Sequence, residues 1–106
     1  MVRTEAQVRD IIFKYIDFLS GQIKVNKVIL YGSYAEGSAT EDSDIDIAVE
    51  SPDFGKNYVE DWQRLARWVW RSGVEPILEP RPLYSSMNSF LLDEIEKKGK
   101  IIFNSE

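Results

Sequence analysis

Residues 28–50 read VILYGSYAEGSATEDSDIDIAVE: two apolar, β-branched runs separated by glycines, hydroxyls and acids. In the second run the side chains alternate strictly, Asp44, Ile45, Asp46, Ile47. A period of two belongs to a strand, whose successive side chains point to opposite faces. One face of this strand is therefore apolar and the other acidic. A chain with such a segment has to build a sheet with one face closed on a core and carboxylates on the other.

The rest of the chain supplies what that sheet needs. Strands are expected at Val25–Tyr31 and Ile45–Glu50, the second stopping at Pro52. Before them, residues 4–20 have the spacing of an amphipathic helix through Val8, Ile11, Ile12, Tyr15 and Leu19. Thr4 and Gln7 fit a capping box, and Gly21 is placed to end the helix. NYVEDWQRLARWVWRSG, residues 57–73, predicts a second helix with Tyr58, Val59, Trp62, Leu65, Ala66 and Val69 on its core stripe and Gly73 as its stop. VEPILEP, residues 74–80, reads as a third strand, short or at an edge because proline removes a ladder donor. A last helix near Ser86 to Lys98 leads into a fourth strand at KIIF, residues 100–103. The order α-β-β-α-β-α-β predicts an α/β (α+β) domain, a small mixed sheet flanked by helices, with all 106 residues in one domain.

Composition narrows the chemistry. The chain has no cysteine and no histidine, so thiolate metal sites, cysteine nucleophiles and the commonest general base are excluded. Catalysis would have to run on carboxylates, hydroxyls, lysine, tyrosine or a hard metal ion. A net charge of −5 argues against a stable, nonspecific grip on nucleic acid, which needs a basic surface. No apolar run has membrane-spanning length and the N-terminus lacks a signal-peptide core, so a cytoplasmic location is the expectation.

The quoted stretch holds the candidate site. Gly32 and Ser33 follow a strand and open a helical turn, where backbone N–H groups and a hydroxyl suit a phosphate; an ordinary turn is the plainer alternative. Asp44 and Asp46 lie about 7 Å apart on one strand face. Two bare carboxylates repel, and a Mg²⁺ ion resolves that repulsion; a solvated strand end is the alternative. Glu75, held extended by Pro76, is the third candidate acid, with Glu79 as its competitor. Three acids could hold two ions about 4 Å apart for in-line displacement at phosphorus.

Together Gly32-Ser33, a ten-residue gap and Asp44-Ile45-Asp46 resemble the GS-x10-DxD signature of the minimal nucleotidyltransferases of the DNA polymerase β superfamily. Gly37 and Ser43-Asp44 are similar to the GSxxxG…SDxD form of it, and VEPIL to the strand that carries the third carboxylate. The resemblance covers roughly residues 25–80 and implies the polymerase β-like fold. It further implies Mg²⁺-dependent transfer of AMP from ATP, with the triphosphate on Gly32 and Ser33. Asp44, Asp46 and Glu75 would hold two Mg²⁺ ions, Glu75 also helping to deprotonate the attacking hydroxyl. Many relatives have aspartate at the third position, so the longer glutamate changes the reach there. Minimal members of the family often accompany a helical HEPN-family protein, and several are antitoxins that adenylylate a tyrosine on it. The implied assembly is a hetero-oligomer of a type VII-like toxin–antitoxin pair. A non-catalytic, nucleotide-binding antitoxin that masks its partner and a small-molecule nucleotidyltransferase subunit are the alternatives.

Trp68, among Arg64, Arg67 and Arg71, is a candidate partner contact unless the C-terminal segment covers it. Trp62 reads as core, Trp70 as core edge and Tyr34 as a residue packing the turn.

Overall fold

The computed structural model describes residues 2–55, 57–84 and 89–105. Helix α1 (Glu5–Leu19) starts at the expected capping box: Thr4 Oγ1 accepts from the Gln7 amide and the Gln7 side chain accepts from the Thr4 amide. It buries Val8, Ile12, Tyr15, Ile16 and Leu19. Ser20, not Gly21, caps its end in ordinary right-handed geometry, so the freedom of the glycine is not used there. Strand β1 (Lys27–Tyr31) leads through Gly32 into a single helical turn, α2 (Ser33–Glu36). Then follow β2 (Ile45–Glu50), α3 (Tyr58–Ser72), β3 (Leu78–Pro82), α4 (Ser89–Lys98) and β4 (Lys100–Asn104). The expected start of the last helix near Ser86 lies outside the described residues.

The sheet runs β3-β2-β1-β4. β1 pairs antiparallel with β2 and β4, whereas β2 and β3 run parallel, so the sheet is mixed. One face carries Val28, Leu30, Ile45, Ile47, Val49 and Leu78 against α1 and α3 in the main core. Ile45, Ile47 and Val49 are fully buried, each contributing about 1.5–3 kcal/mol of apolar transfer. The other face holds a smaller cluster, Ile29, Ala48, Leu83 and Ile95, under α4. The alternation read in β2 thus divides the molecule as expected.

Strand β1 starts at Lys27 instead of Val25, and two further elements depart more strongly from the sequence reading. The third strand starts at Leu78, so Glu75 lies in a turn ahead of it, where the Leu78 amide donates to the Glu75 carbonyl (3.2 Å). Pro80 and Pro82 are inside the strand. They are tolerated because the odd-numbered residues face β2: Ile77 accepts from the Ile45 amide and the Leu83 amide donates to Val49. The even-numbered prolines therefore present their missing donors to the outer edge.

Helix α3 ends as expected, with Gly73 in left-handed geometry (φ 76°), but it is rotated from the expected stripe. Its buried residues are Asp61, Leu65, Trp68 and Val69, while Val59, Trp62, Ala66 and Trp70 are exposed. The cause is Asp61, whose carboxylate is worth burying because its partners come from three places. It accepts from the Gly55 amide (3.2 Å) and the Tyr84 hydroxyl and pairs with Arg64 (3.6 Å). Trp68 follows it inward, with Arg64 over its ring at 5.5 Å. Of the two alternatives for Trp68 the structure has it buried within this chain, while Trp62 and Trp70, expected as core and core edge, face outward.

Candidate active site

The site is built where β1 ends and β2 begins. Gly32 caps α2 at φ 74°, a left-handed conformation that disfavours any side chain. A Cβ there would stand 2.5 Å from Asp46 Oδ2, so the backbone of the turn is pressed directly against that carboxylate. Glycine is required twice over, by conformation and by space. The Gly32 carbonyl accepts from the Ala35 and Glu36 amides, leaving the Ser33 and Tyr34 N–H groups at the open start of the turn. The Ser33 hydroxyl makes no hydrogen bond among the described residues and is free for a ligand.

Asp44 and Asp46 are delivered by a tight turn. The Ser43 hydroxyl accepts from the Thr40 amide (2.8 Å) and the Ser43 amide donates to the Thr40 carbonyl (3.2 Å). Asp44 is exposed just ahead of β2, and Asp46 is half-buried one position inside it, opposite Tyr31 of β1 and Glu79 of β3. Burial raises the Asp46 carboxyl above its ordinary value, and the negative charges of Asp44 and Glu79 push it further; Arg81 opposes them. Tyr31 belongs to the same cluster: burial pushes its hydroxyl up to about 12, so it stays protonated and able to donate.

The third sequence candidate, Glu75, is elsewhere. It forms an ion pair with Arg3 just ahead of α1, outside the β2–β3 ladder. The reason is the position of the strand. With β3 beginning at Leu78, the residue in register with Asp46 is Glu79, the competitor weighed above. Arg81 and Tyr31 were not singled out in the sequence; the parity of the strands could have found them, since each shares the face of its neighbouring acid. Arg81 also stacks over Trp62 (5.6 Å), which contacts Tyr58 (6.3 Å), and Tyr58 contacts Tyr84 (5.6 Å). An aromatic wall thus adjoins the acids.

Among the described residues, no three acidic side chains are gathered closely enough to hold a metal ion by themselves. The donor set nevertheless suits a hard dication: the charges of Asp44 and Glu79 act on a half-buried Asp46 beside N–H groups that suit phosphate, and Mg²⁺ takes part of its shell from phosphates and water.

A family model described as a nucleotidyltransferase domain matches residues 10–105. Two candidate protein adenylyltransferases of Methanocaldococcus jannaschii are 43% identical over 49 residues and 38% identical over 65 residues. These matches cover 46% and 58% of this chain, but only 49% and 66% of those proteins. Among solved structures, a toxin–antitoxin crystal structure with AMP-PNP is similar at a TM-score of 0.61 and 28% identity, over 89% of this chain and 73% of that one. The complex of a tri-AMPylated Shewanella oneidensis HEPN toxin with its MNT antitoxin shares the fold at a TM-score of 0.58 and 24% identity, over 92% and 73%. Among the described residues, no helix is long and apolar enough to cross a membrane. Signature, fold and family match converge: this chain belongs to the nucleotidyltransferase domain family and has the polymerase β-like fold.

Proposed function

We propose that this protein is a Mg²⁺-dependent nucleotidyltransferase that moves AMP from ATP to a tyrosine hydroxyl of a helical HEPN-family partner, acting as its cytoplasmic antitoxin. The observation that carries the reading is Asp46, wedged against the Gly32 turn on one side and in register with Glu79 on the other. Triphosphate on the amides of that turn would lie directly beside the carboxylates. The similarity to a toxin–antitoxin structure with AMP-PNP supports both nucleotide and partner.

Asp44 and Asp46 would hold Mg²⁺, and we assign the third acid to Glu79 rather than Glu75. When bound, Mg²⁺ offsets charge on the transferring phosphoryl group. The Gly32 turn positions the triphosphate, and Arg81 supplies a fixed positive charge near the reacting centre. The acceptor oxygen attacks the α-phosphorus, the bond to the β-phosphate oxygen breaks and pyrophosphate leaves. Glu79 takes the hydroxyl proton. Such transfers rest on positioning and charge neutralisation, so the absence of histidine is no obstacle.

The test is transfer of label from [α-³²P]ATP to the HEPN-family protein of the same genome, with Mg²⁺ or with EDTA. The partner is expected to gain AMP on tyrosine in Mg²⁺ alone. A partner silenced equally well by Asp46→Asn at native expression levels would make the protein a masking antitoxin. Label on a small molecule instead would make it a small-molecule nucleotidyltransferase subunit.

A further inference from the structure

The residues that α3 turns outward form a pattern of their own. At 100° per residue, Val59, Trp62, Ala66 and Trp70 fall within an arc of about 80°. They make a stripe about 16 Å long beside, and separate from, the buried arc of Asp61, Leu65, Trp68 and Val69. Val59 is 57% exposed, Trp62 40% and Trp70 76%. Exposed apolar patches of a few hundred square ångström mark interaction sites, and tryptophan is the commonest energetic anchor in them.

Charge says what covers the stripe. Arg67 and Arg71 flank it and make no ion pair among the described residues, whereas Arg64 is held by Asp61 and Trp68. The protein as a whole carries −5, so this margin, past Glu60 in the first turn, is a positive patch on an acidic molecule. The stripe also runs up to the acids, because Trp62 lies under Arg81.

We propose that the Val59–Trp62–Ala66–Trp70 stripe of α3 docks an amphipathic helix of a partner protein, with apolar residues at i, i+4 and i+7 and acidic residues along the edge that meets Arg67 and Arg71. The docked helix ends beside Arg81, at the mouth of the acid site. This deepens the proposed function by naming the surface that would receive the partner, and it relies on that reading only for the choice of the HEPN-family protein as the probe. Packing a helix into a complementary apolar face is a recurrent recognition mode.

The test measures binding separately from transfer. Trp70→Glu puts a negative charge in the stripe, far from the acids, and Asp17→Arg, on the exposed side of α1, is the control. The dissociation constant for the HEPN-family protein is expected to rise about a hundredfold with Trp70→Glu and to stay put with Asp17→Arg. Circular dichroism and thermal unfolding are expected to match the wild type, showing that the variant folds. A benzoylphenylalanine at position 66 is expected to crosslink to an acid-edged helix of the partner, mapped by mass spectrometry. An unchanged dissociation constant, a crosslink to a second copy of this chain, or no complex with the wild type overturns the proposal. Binding through the stripe without any AMP transfer would remove the catalytic reading and leave the docking surface standing.

Discussion

Asp46 and Ile47 are consecutive residues of β2, yet they serve opposite faces of one sheet. Ile47 is fully buried between the sheet and the α1–α3 layer. Asp46 faces the side where α4 covers only a small cluster, and there it meets Asp44, Glu79, Arg81 and Tyr31. The closed face is apolar and supplies stability. The open face gathers like charges, which cost stability in the free protein and which, on the proposed reading, a cation and phosphates would offset. The proposed function thus falls on the side that is poorer in packing.

The largest effect should come from the open face and leave the closed one untouched. Asp46→Asn and Glu79→Gln are each expected to slow AMP transfer about a thousandfold, about 4 kcal/mol of barrier, with the far-ultraviolet circular dichroism unchanged. Glu75→Gln is expected to transfer at the wild-type rate, because it loses only an exposed ion pair to Arg3. A rate loss confined to Glu75→Gln would reverse the assignment of the third acid. Next is the closed face: Ile47→Ala should cost about 3 kcal/mol in urea unfolding, while nucleotide affinity, compared below the unfolding transition, stays close to wild type.

How much of this contrast was legible in the sequence depends on parity. Within β2 the strict alternation placed Asp46 and Ile47 correctly, and the Gly32-Ser33 spacing found the turn beside them. The start of β3 was not legible, because local rules let Pro76 open a strand and treat Pro80 as its end. Only the pairing with β2 decides that odd residues turn inward, which admits both prolines and puts Glu79 beside Asp46. The rotation of α3 was hidden for a similar reason. It depends on Asp61 finding Gly55 and Tyr84, contacts made across the chain rather than along it.

A smaller effect is expected at the seam between the faces. Gly32→Ala should destabilise the protein by about 1–2 kcal/mol through its left-handed backbone, and the added methyl would push Asp46 aside. Nucleotide-dependent stabilisation in Mg²⁺ should fall with it; an unchanged response would mean that the turn and Asp46 act independently. The smallest effect is one of pH. The native state raises the Asp46 carboxyl above its ordinary 3.8, so ionised Asp46 destabilises the metal-free fold at neutral pH. Stability from this group is complete in acid and is lost as pH rises through the native value. In EDTA at pH 7, Asp46→Asn should therefore melt slightly above wild type, and the difference should disappear below pH 3.8. A gap that widens in acid would contradict the sign.

Pro80 and Pro82 bear on how the molecule associates with others. Their nitrogens face the outer edge of β3 and have no hydrogens to offer. A peptide laid along that edge would find two of its carbonyls unanswered within five residues. The sheet therefore resists being extended by a foreign strand at its β3 edge, a common route to aggregation, even though the strand is short of cover on the side of the acids. A partner approaching that edge finds backbone acceptors there but no backbone donor at Pro80 or Pro82.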